Sequence, residues 1–339
     1  MIPKVSVIIP TYNCAEYISD AIASVLNQTY KDIEITVIDD GSSDNTRELL
    51  DAYIKKSRIK YFYQKNRGPG AARNTGIRNS AGEYVCFLDA DDIYDVKSVE
   101  NRLYVFQKYP ELGLVFTDFK KVYLKNHGQE VYRENDLVES GFLDRIASNC
   151  LKIRDGDIFL FNEKIFFELI LFGFIWTGTV MIRRDALDKV GFFNEAFRIC
   201  EDYDLWLRIS GNFNIALRMV NTATYRFHSN NVTKNLPIYC DCSIEVRKKY
   251  LKSNFALPND YKKRLKIAFA ALSFRKGYYY FGGSEHKKAK VNLWRGIRMR
   301  PTCFRYYIYF LSSFLPLTLV RILRTYKHTV FSKNQCISI

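Results

Sequence analysis

From Val5 to Leu88 the chain alternates between two apolar periods, and that alternation restricts the fold more than any other feature. Short apolar runs at Val5–Ile9, Ile33–Ile38, Ile59–Tyr63 and Tyr84–Leu88 have the length and β-branched content of buried strands. Between them, Ala15–Leu26, Asp44–Lys56 and Pro69–Asn79 carry apolar residues at helical spacing, with an acidic first turn in the second and Pro69 near the start of the third. Strand-helix repeats of this kind predict a parallel sheet with right-handed crossovers. Each strand is followed by a polar cluster, at the carboxyl ends where open α/β sheets bind ligands.

The sharpest cluster is Phe87-Leu88-Asp89-Ala90-Asp91-Asp92, where a buried run ends in three acids within four residues. Carboxylates resist burial together, so such a group calls for a counter-charge, and hard divalent cations take oxygen ligands. An acidic turn with Asp92 capping the next helix fits the same residues. After the first strand comes Pro10-Thr11-Tyr12-Asn13, with Glu16 able to complete a helix cap begun by Asn13. After the second comes Asp39-Asp40-Gly41-Ser42-Ser43-Asp44, two acids positioned for a base or ribose hydroxyls and then a turn. After the third comes Asn66-Arg67-Gly68-Pro69-Gly70-Ala71-Ala72-Arg73, a glycine-bearing helix start suited to phosphate. It lacks the glycine spacing of a dinucleotide fingerprint and the Lys-Ser/Thr of a Walker loop.

Beyond Asp92 the spacing predicts a helix over Val96–Lys108, strands over Leu114–Tyr123, Thr177–Arg183 and Ile215–Arg226, and helices over Arg184–Val190 and Asp202–Ser210. The stretch from Asp136 to Ile175 is aromatic and without clear period. Eight cysteines form no CxxC pair, which argues against zinc and against a disulfide framework. The N-terminal residues lack the basic start and cleavage site of a secretory signal, so a cytoplasmic protein is expected.

The motifs at 5–13 (VSVIIPTYN), 38–46 (IDDGSSDNT) and 87–92 (FLDADD) resemble family 2 glycosyltransferases of the GT-A fold. The likeness continues at 177–184 (TGTVMIRR), 190–195 (VGFFNE) and 200–208 (CEDYDLWLR), in the family's order over about 230 residues. The resemblance implies an α/β, Rossmann-like, mostly parallel central sheet flanked by helices, and inverting transfer from a nucleotide-sugar donor, most simply a UDP-sugar. It places Pro10, Tyr12, Asp39 and Asp40 around the base and ribose, and Arg73 near the base and phosphates. Asp89 and Asp91 match the DxD pair that holds ribose and Mn²⁺ or Mg²⁺. Asp202, in Glu201-Asp202, matches the catalytic base, and the adjacent Glu201 is the second catalytic candidate. A histidine at the position of His228 contacts metal or diphosphate in some GT-A enzymes. Trp176 and Thr177 are candidates to line an acceptor pocket. The implied organisation is a catalytic domain over 1–239, with a nucleotide-sugar half at 1–95 and an acceptor half at 96–239. The implied acceptor is a glycan or lipid-linked oligosaccharide, in surface polysaccharide biosynthesis. A non-catalytic sugar-nucleotide- or membrane-binding protein on the same fold is the alternative.

Charge divides the chain. Met1–Cys240 carries 30 Lys+Arg against 32 Asp+Glu, whereas Asp241–Ile339 carries 21 against 4. Residues 240–339 therefore form a basic, aromatic, helical region that favours an anionic partner. Tyr306–Val320 has no charge, is broken by Pro316, and is flanked by Arg295, Arg298, Arg300 and Arg305 before and Arg321, Arg324 and Lys327 after. It is shorter than a span but suits an anionic membrane surface, peripheral on the inner face of the plasma membrane. Packing on the catalytic domain, or a homodimer, stays open on the same residues. Nucleic acid is not expected as a partner, because the apolar run is too continuous.

Overall fold

In the computed structural model, residues 4–124, 130–133, 137, 146, 150–228, 235–252 and 257–315 are described. The chain divides into two compact units, Met1–Asn231 and Val232–Ile339.

The first unit is built on one sheet. Its strands are β1 (Val5–Thr11), β2 (Ile33–Asp39), β3 (Lys60–Tyr63), β4 (Tyr84–Phe87), β5 (Ile93–Tyr94), β6 (Leu114–Leu124), β7 (Glu130–Arg133), β8 (Leu151–Asp155), β9 (Ile158–Phe161), β10 (Met181–Arg183) and β11 (Ile215–Phe227). The order is β3-β2-β1-β4-β10-β6-β11-β9-β8, with β5 paired to β11 and β7 to β6. The first four strands run parallel, as do β6 and β11, and β10 lies antiparallel between β4 and β6. Because β2 and β4 flank β1 on opposite sides, the chain reverses its winding between β1 and β4, the position at which open α/β sheets take ligands at the strands' carboxyl ends.

Helices cover both faces. Val5, Val7 and Ile9 belong to a core shared with Ile18, Ile22 and Val25 of the helix Ile18–Leu26 and with Val99, Leu103 and Phe106 of Ser98–Lys108. Ile8 points to the opposite face, toward the helix Pro69–Arg78, where a Cβ on Gly76 would lie 2.3 Å from Ile8 Cγ2. That glycine sets the close approach of this helix to β1. The fully buried Arg102 donates to Val180 O and Ser98 Oγ and meets Tyr94, whose hydroxyl donates to Phe87 O at 2.7 Å. The end of β4 is thus braced just before its acids.

The expected pattern lacks the short strands β5 and β7, and it differs from the structure in two longer stretches. The described part of the irregular stretch holds a β8–β9 hairpin with a two-residue loop, Gly156 (φ 61°) and Asp157, followed by a helix at Lys164–Leu171. A glycine turn between β-formers is a hairpin signal, masked here by surrounding aromatics. The strand expected over Thr177–Arg183 begins only at Met181, because Thr177–Thr179 form a 3₁₀ turn.

The second unit contains helices Leu236–Lys252, Asn259–Gly282, His286–Met299 and Phe304–Ser312. Its core joins Ala270, Phe274, Leu293, Ile297, Tyr306 and Tyr309. Gly277 lies where a Cβ would be 2.8 Å from Leu293 Cγ, so the two middle helices cross closely. No helix among the described residues is long and apolar enough to cross a membrane. The expected features from Pro316 onward, including Arg321, Arg324 and Lys327, lie outside the described residues.

Candidate active site

The polar clusters at the carboxyl ends of β1 to β4 meet one another and the start of a distant helix. Two loops are tied first. Asn13, in the left-handed region at φ 50°, accepts at Oδ1 from Ser43 N (2.8 Å), and its own N–H donates to Ser42 Oγ (3.0 Å). Asparagine tolerates that backbone better than most residues. Asn13 therefore does not cap a helix as its spacing with Glu16 allowed; the helix begins at Ile18. Pro10 pairs with Ile38 inside the sheet, and Tyr12 stands 51% exposed at the rim.

Asp39 and Asp40 are both buried. Asp39 accepts from Ser42 N and from the Tyr61 hydroxyl. Asp40 accepts from Gln64 Nε2 (2.7 Å), Arg67 N (3.0 Å) and Gly68 N (2.8 Å), so it holds the loop that opens the Pro69 helix. Gly41 allows this approach: at φ 87° a Cβ would sit 2.9 Å from Asn66 N. An ionised carboxylate offers about four acceptor positions, so both acids keep capacity for a ligand.

Arg73, one turn into that helix, is almost wholly buried. It donates from Nη2 to Asp89 Oδ1 and from Nη1 to Glu201 Oε1, each at 2.6 Å. Burial opposes its charge, but Asp89, Glu201 and Asp202 outweigh that and hold its pKa above the ordinary value. Burial pushes the Glu201 carboxyl up to about 7, opposed by Arg73 and reinforced by Asp202. Glu201 and Asp202 open the helix Glu201–Ser210, and the preceding Cys200 is left-handed at φ 66°. For a residue with a Cβ this backbone costs about 1–2 kcal/mol, which marks a constrained turn aiming the acid pair. Asp202 Oδ2 accepts from Thr177 Oγ1 at 2.8 Å. Trp176 turns instead to Phe119 and Tyr225, with ring centroids 4.6 and 5.2 Å away.

Asp91 lies 2.9 Å through Oδ2 from His228 Nε2, although 137 residues separate them. Burial raises the Asp91 carboxyl, Asp89 adds to the rise, and His228 works against it. Asp92 does not cap the following helix. It is fully buried, accepts from Arg226 N at 2.9 Å, and so fastens the acid turn to β11. Burial, then Asp91 and Asp89, hold it well above the usual carboxylate range. Sequence reasoning missed the two residues that support this corner. Arg226 donates to Asp91 O, Tyr17 O and Asp20 Oδ2, and the Tyr17 ring stacks on His228 with centroids 4.7 Å apart. Their signal was only an aromatic near one loop and an arginine two residues before the histidine.

The donor set fits a hard divalent cation. Asp91 and His228 bring an oxygen and a nitrogen together beside a second acid, Asp89, in a region whose carboxyls are raised first by burial and then by the neighbouring acids. Among the described residues no group of three or more His, Cys, Asp or Glu side chains converges on one point. The oxygens of a bound diphosphate and waters would complete the shell, as is usual for Mg²⁺-type sites.

A parallel sheet with helices on both faces, an antiparallel strand inserted beside β4, and acids gathered at the switch point make this the architecture of the GT-A glycosyltransferases. The profile described as "Glycosyl transferase family 2" matches residues 6–191, and the chain belongs to that family. An uncharacterized glycosyltransferase of Rickettsia conorii is 34% identical over 234 residues, covering 68% of this chain and 35% of that protein. Chondroitin synthase of Escherichia coli is 33% identical over 210 residues, covering 62% of this chain and 27% of that protein. The chain thus spans about a third or less of the length of these two relatives. In fold, S. aureus TarS 1–349 in complex with UDP-GlcNAc aligns with a TM-score of 0.61 at 16% identity, covering 98% of this chain and 94% of that one.

Proposed function

We propose that the first unit is an inverting, metal-dependent glycosyltransferase. It moves a hexosyl or N-acetylhexosaminyl group from a nucleotide diphosphate sugar, in our reading a UDP-sugar, to a hydroxyl of a glycan or lipid-linked oligosaccharide in surface polysaccharide assembly. The observation that carries this reading is the buried bridge Asp89–Arg73–Glu201, which joins the acid turn after β4 to the helix bearing Asp202. A donor held at the first and an acceptor activated at the second would then be adjacent. Chondroitin synthase, a relative that by name builds a glycan, agrees with this acceptor class.

In this assignment Pro10, Tyr12, Asp39 and Asp40 form the base and ribose side, within the nucleotide-sugar half at 1–95. Residues 96–239 supply the acceptor side. Asp202 takes the proton of the acceptor hydroxyl as that oxygen attacks the anomeric carbon and the bond to the diphosphate breaks on the opposite face. The Thr177 hydroxyl holds Asp202 Oδ2 and the Tyr203 N–H holds Oδ1, so the carboxylate is fixed in orientation while each oxygen keeps a further acceptor position for the proton. Glu201 holds Arg73 rather than taking the proton. Asp91 and His228, with Asp89 beside them, would hold Mn²⁺ or Mg²⁺, which when bound offsets charge on the diphosphate. Peripheral placement at an anionic membrane, through the basic second unit, completes the reading and suits a lipid-linked acceptor.

Thermal shift against a panel of nucleotide sugars, with and without Mn²⁺, tests it. One donor should stabilise the chain by about 2.7 kcal/mol at a hundredfold excess over Kd, and NMR of the product should show the opposite anomer. No nucleotide-dependent shift and no donor consumption across the panel would refute the proposal.

A further inference from the structure

The solvent face of the helix Phe304–Ser312 is its apolar face. Phe304, Ile308 and Leu311 follow i, i+4, i+7 spacing and are 76%, 46% and 65% exposed, while Tyr306 and Tyr309 on the opposite side are buried in the core of the second unit. A surface helix ordinarily does the reverse. The neighbouring helix His286–Met299 adds Val291 and Trp294, 51% and 48% exposed one turn apart. The two faces are continuous: Trp294 packs on Phe310, Phe310 on Phe314, and the Lys290 ammonium lies 3.8 Å over the Phe314 ring.

Charge selects the occupant. Residues 286–315 contain seven Lys and Arg and no Asp or Glu. Exposed Lys287, Lys288, Arg295 and Arg298 share the helix surface with Val291 and Trp294. A second copy docked here would set the same cations against one another. The chain beyond, 316–339, adds four Lys and Arg and again no acid, so laying it over the face would also pile up positive charge. Nucleic acid would satisfy the cations but leave the aliphatic Ile308 and Leu311 without a stacking partner. An anionic bilayer satisfies both groups at once: apolar side chains enter the acyl boundary, tryptophan sits at the interface and cations meet headgroups.

We infer that the face formed by Val291, Trp294, Phe304, Ile308, Leu311 and Phe314 is a docking surface for an anionic lipid bilayer. This deepens the partner named in the proposed function and is independent of the transfer chemistry. The test uses the full chain and phosphatidylcholine vesicles with and without phosphatidylglycerol. Co-sedimentation should require the anionic lipid and weaken with salt. Brominated lipid should quench the wild type more than Trp294→Phe. The double variant Ile308→Ser/Leu311→Ser, altered only at exposed positions, should bind at least about tenfold more weakly while keeping the wild-type melting temperature. Failure of the wild type to bind anionic vesicles, or equal binding by the double variant, overturns the inference. So does a wild-type dimer in light scattering that the double variant abolishes. Donor consumption with a soluble acceptor, measured without vesicles, reports on the catalytic reading separately, so either can fail alone.

Discussion

Arg73 and Glu201 form a buried ion pair, Nη1 to Oε1 at 2.6 Å, between residues 128 positions apart. The second guanidinium arm reaches Asp89 at the same distance. Removing the cation strands two acids, one of them almost fully buried. Arg73→Met should destabilise the first unit by about 3–5 kcal/mol, the range for breaking one side of a buried pair. Arg73→Lys should fall between, since one ammonium cannot span both acids with the fork of a guanidinium. Urea denaturation measures both; a loss under about 1 kcal/mol for Arg73→Met would mean that the bridge does not hold the site together.

The same pair gives a signed pH dependence. Glu201 titrates near its ordinary 4.5 when unfolded and near 7 when folded. Between these values the folded chain binds more protons than the unfolded one, so this group's contribution to stability falls as pH rises from about 4.5 to about 7. Asp91 and Asp92, also raised, act with the same sign. Glu201→Gln cannot titrate. The difference between wild-type and variant urea midpoints in metal-free buffer should therefore shrink or reverse in favour of the variant across that window. A difference that does not change with pH would show that folding does not raise the Glu201 carboxyl.

Much of this was legible in the chain. Period and length place β1, β2 and β4 and the helices between them, because strands buried on both faces leave continuous apolar runs, while the half-exposed edge strand β3 shows only as a short aromatic run. The acids at 39–40 and 89–91 stand out because carboxylates after such runs are rare without a purpose, whereas Glu201-Asp202 reads by itself as the acidic first turn of a helix and gains a catalytic role only from the family resemblance. What escaped depends on long-range contact. Nothing near Asn13 announces that its side chain serves the 42–43 loop rather than a helix cap. Nothing near Asp92 announces that its partner is the backbone of Arg226, 134 residues away. The left-handed turn at Cys200 lacks the glycine that usually marks one. The hairpin at 151–161 did carry its Gly-Asp loop, but the aromatic content around it obscured the period of two.

Asp202 and Asp91 should separate when mutated. Asp202→Asn leaves the donor side intact and removes the proton acceptor, so transfer should fall about 10²–10⁴-fold with nucleotide binding nearly unchanged. Asp91→Asn should lose both transfer and the part of nucleotide affinity that depends on metal. Thr177→Val, which removes one of the two bonds that hold Asp202, should give a smaller loss in kcat with KM for the donor preserved. Single-turnover kinetics with calorimetry of UDP binding distinguishes the three; full transfer by Asp202→Asn would end its assignment as the base.

Arg226 should act on the metal without touching it. Its guanidinium joins Asp91 O, Tyr17 O and Asp20 Oδ2, and lies 4.9 Å over the Tyr17 ring, which in turn stacks on His228. Both residues proposed to hold the metal, Asp91 and His228, are thus positioned by one side chain. Supporting partners of this kind typically account for about 10–100-fold in metal affinity. Arg226→Gln should accordingly raise the Mn²⁺ concentration for half-maximal activity by about tenfold or more, with kcat at saturating Mn²⁺ largely restored. Metal-free UDP binding should not change, because the proposed base and ribose side is built by Asp39 and Asp40 through separate bonds. Tyr17→Leu, which stays apolar but loses the ring stack on His228, should shift the Mn²⁺ requirement in the same direction by less. A Mn²⁺ titration that superimposes on the wild type for both variants would leave the Asp91–His228 pair without this support.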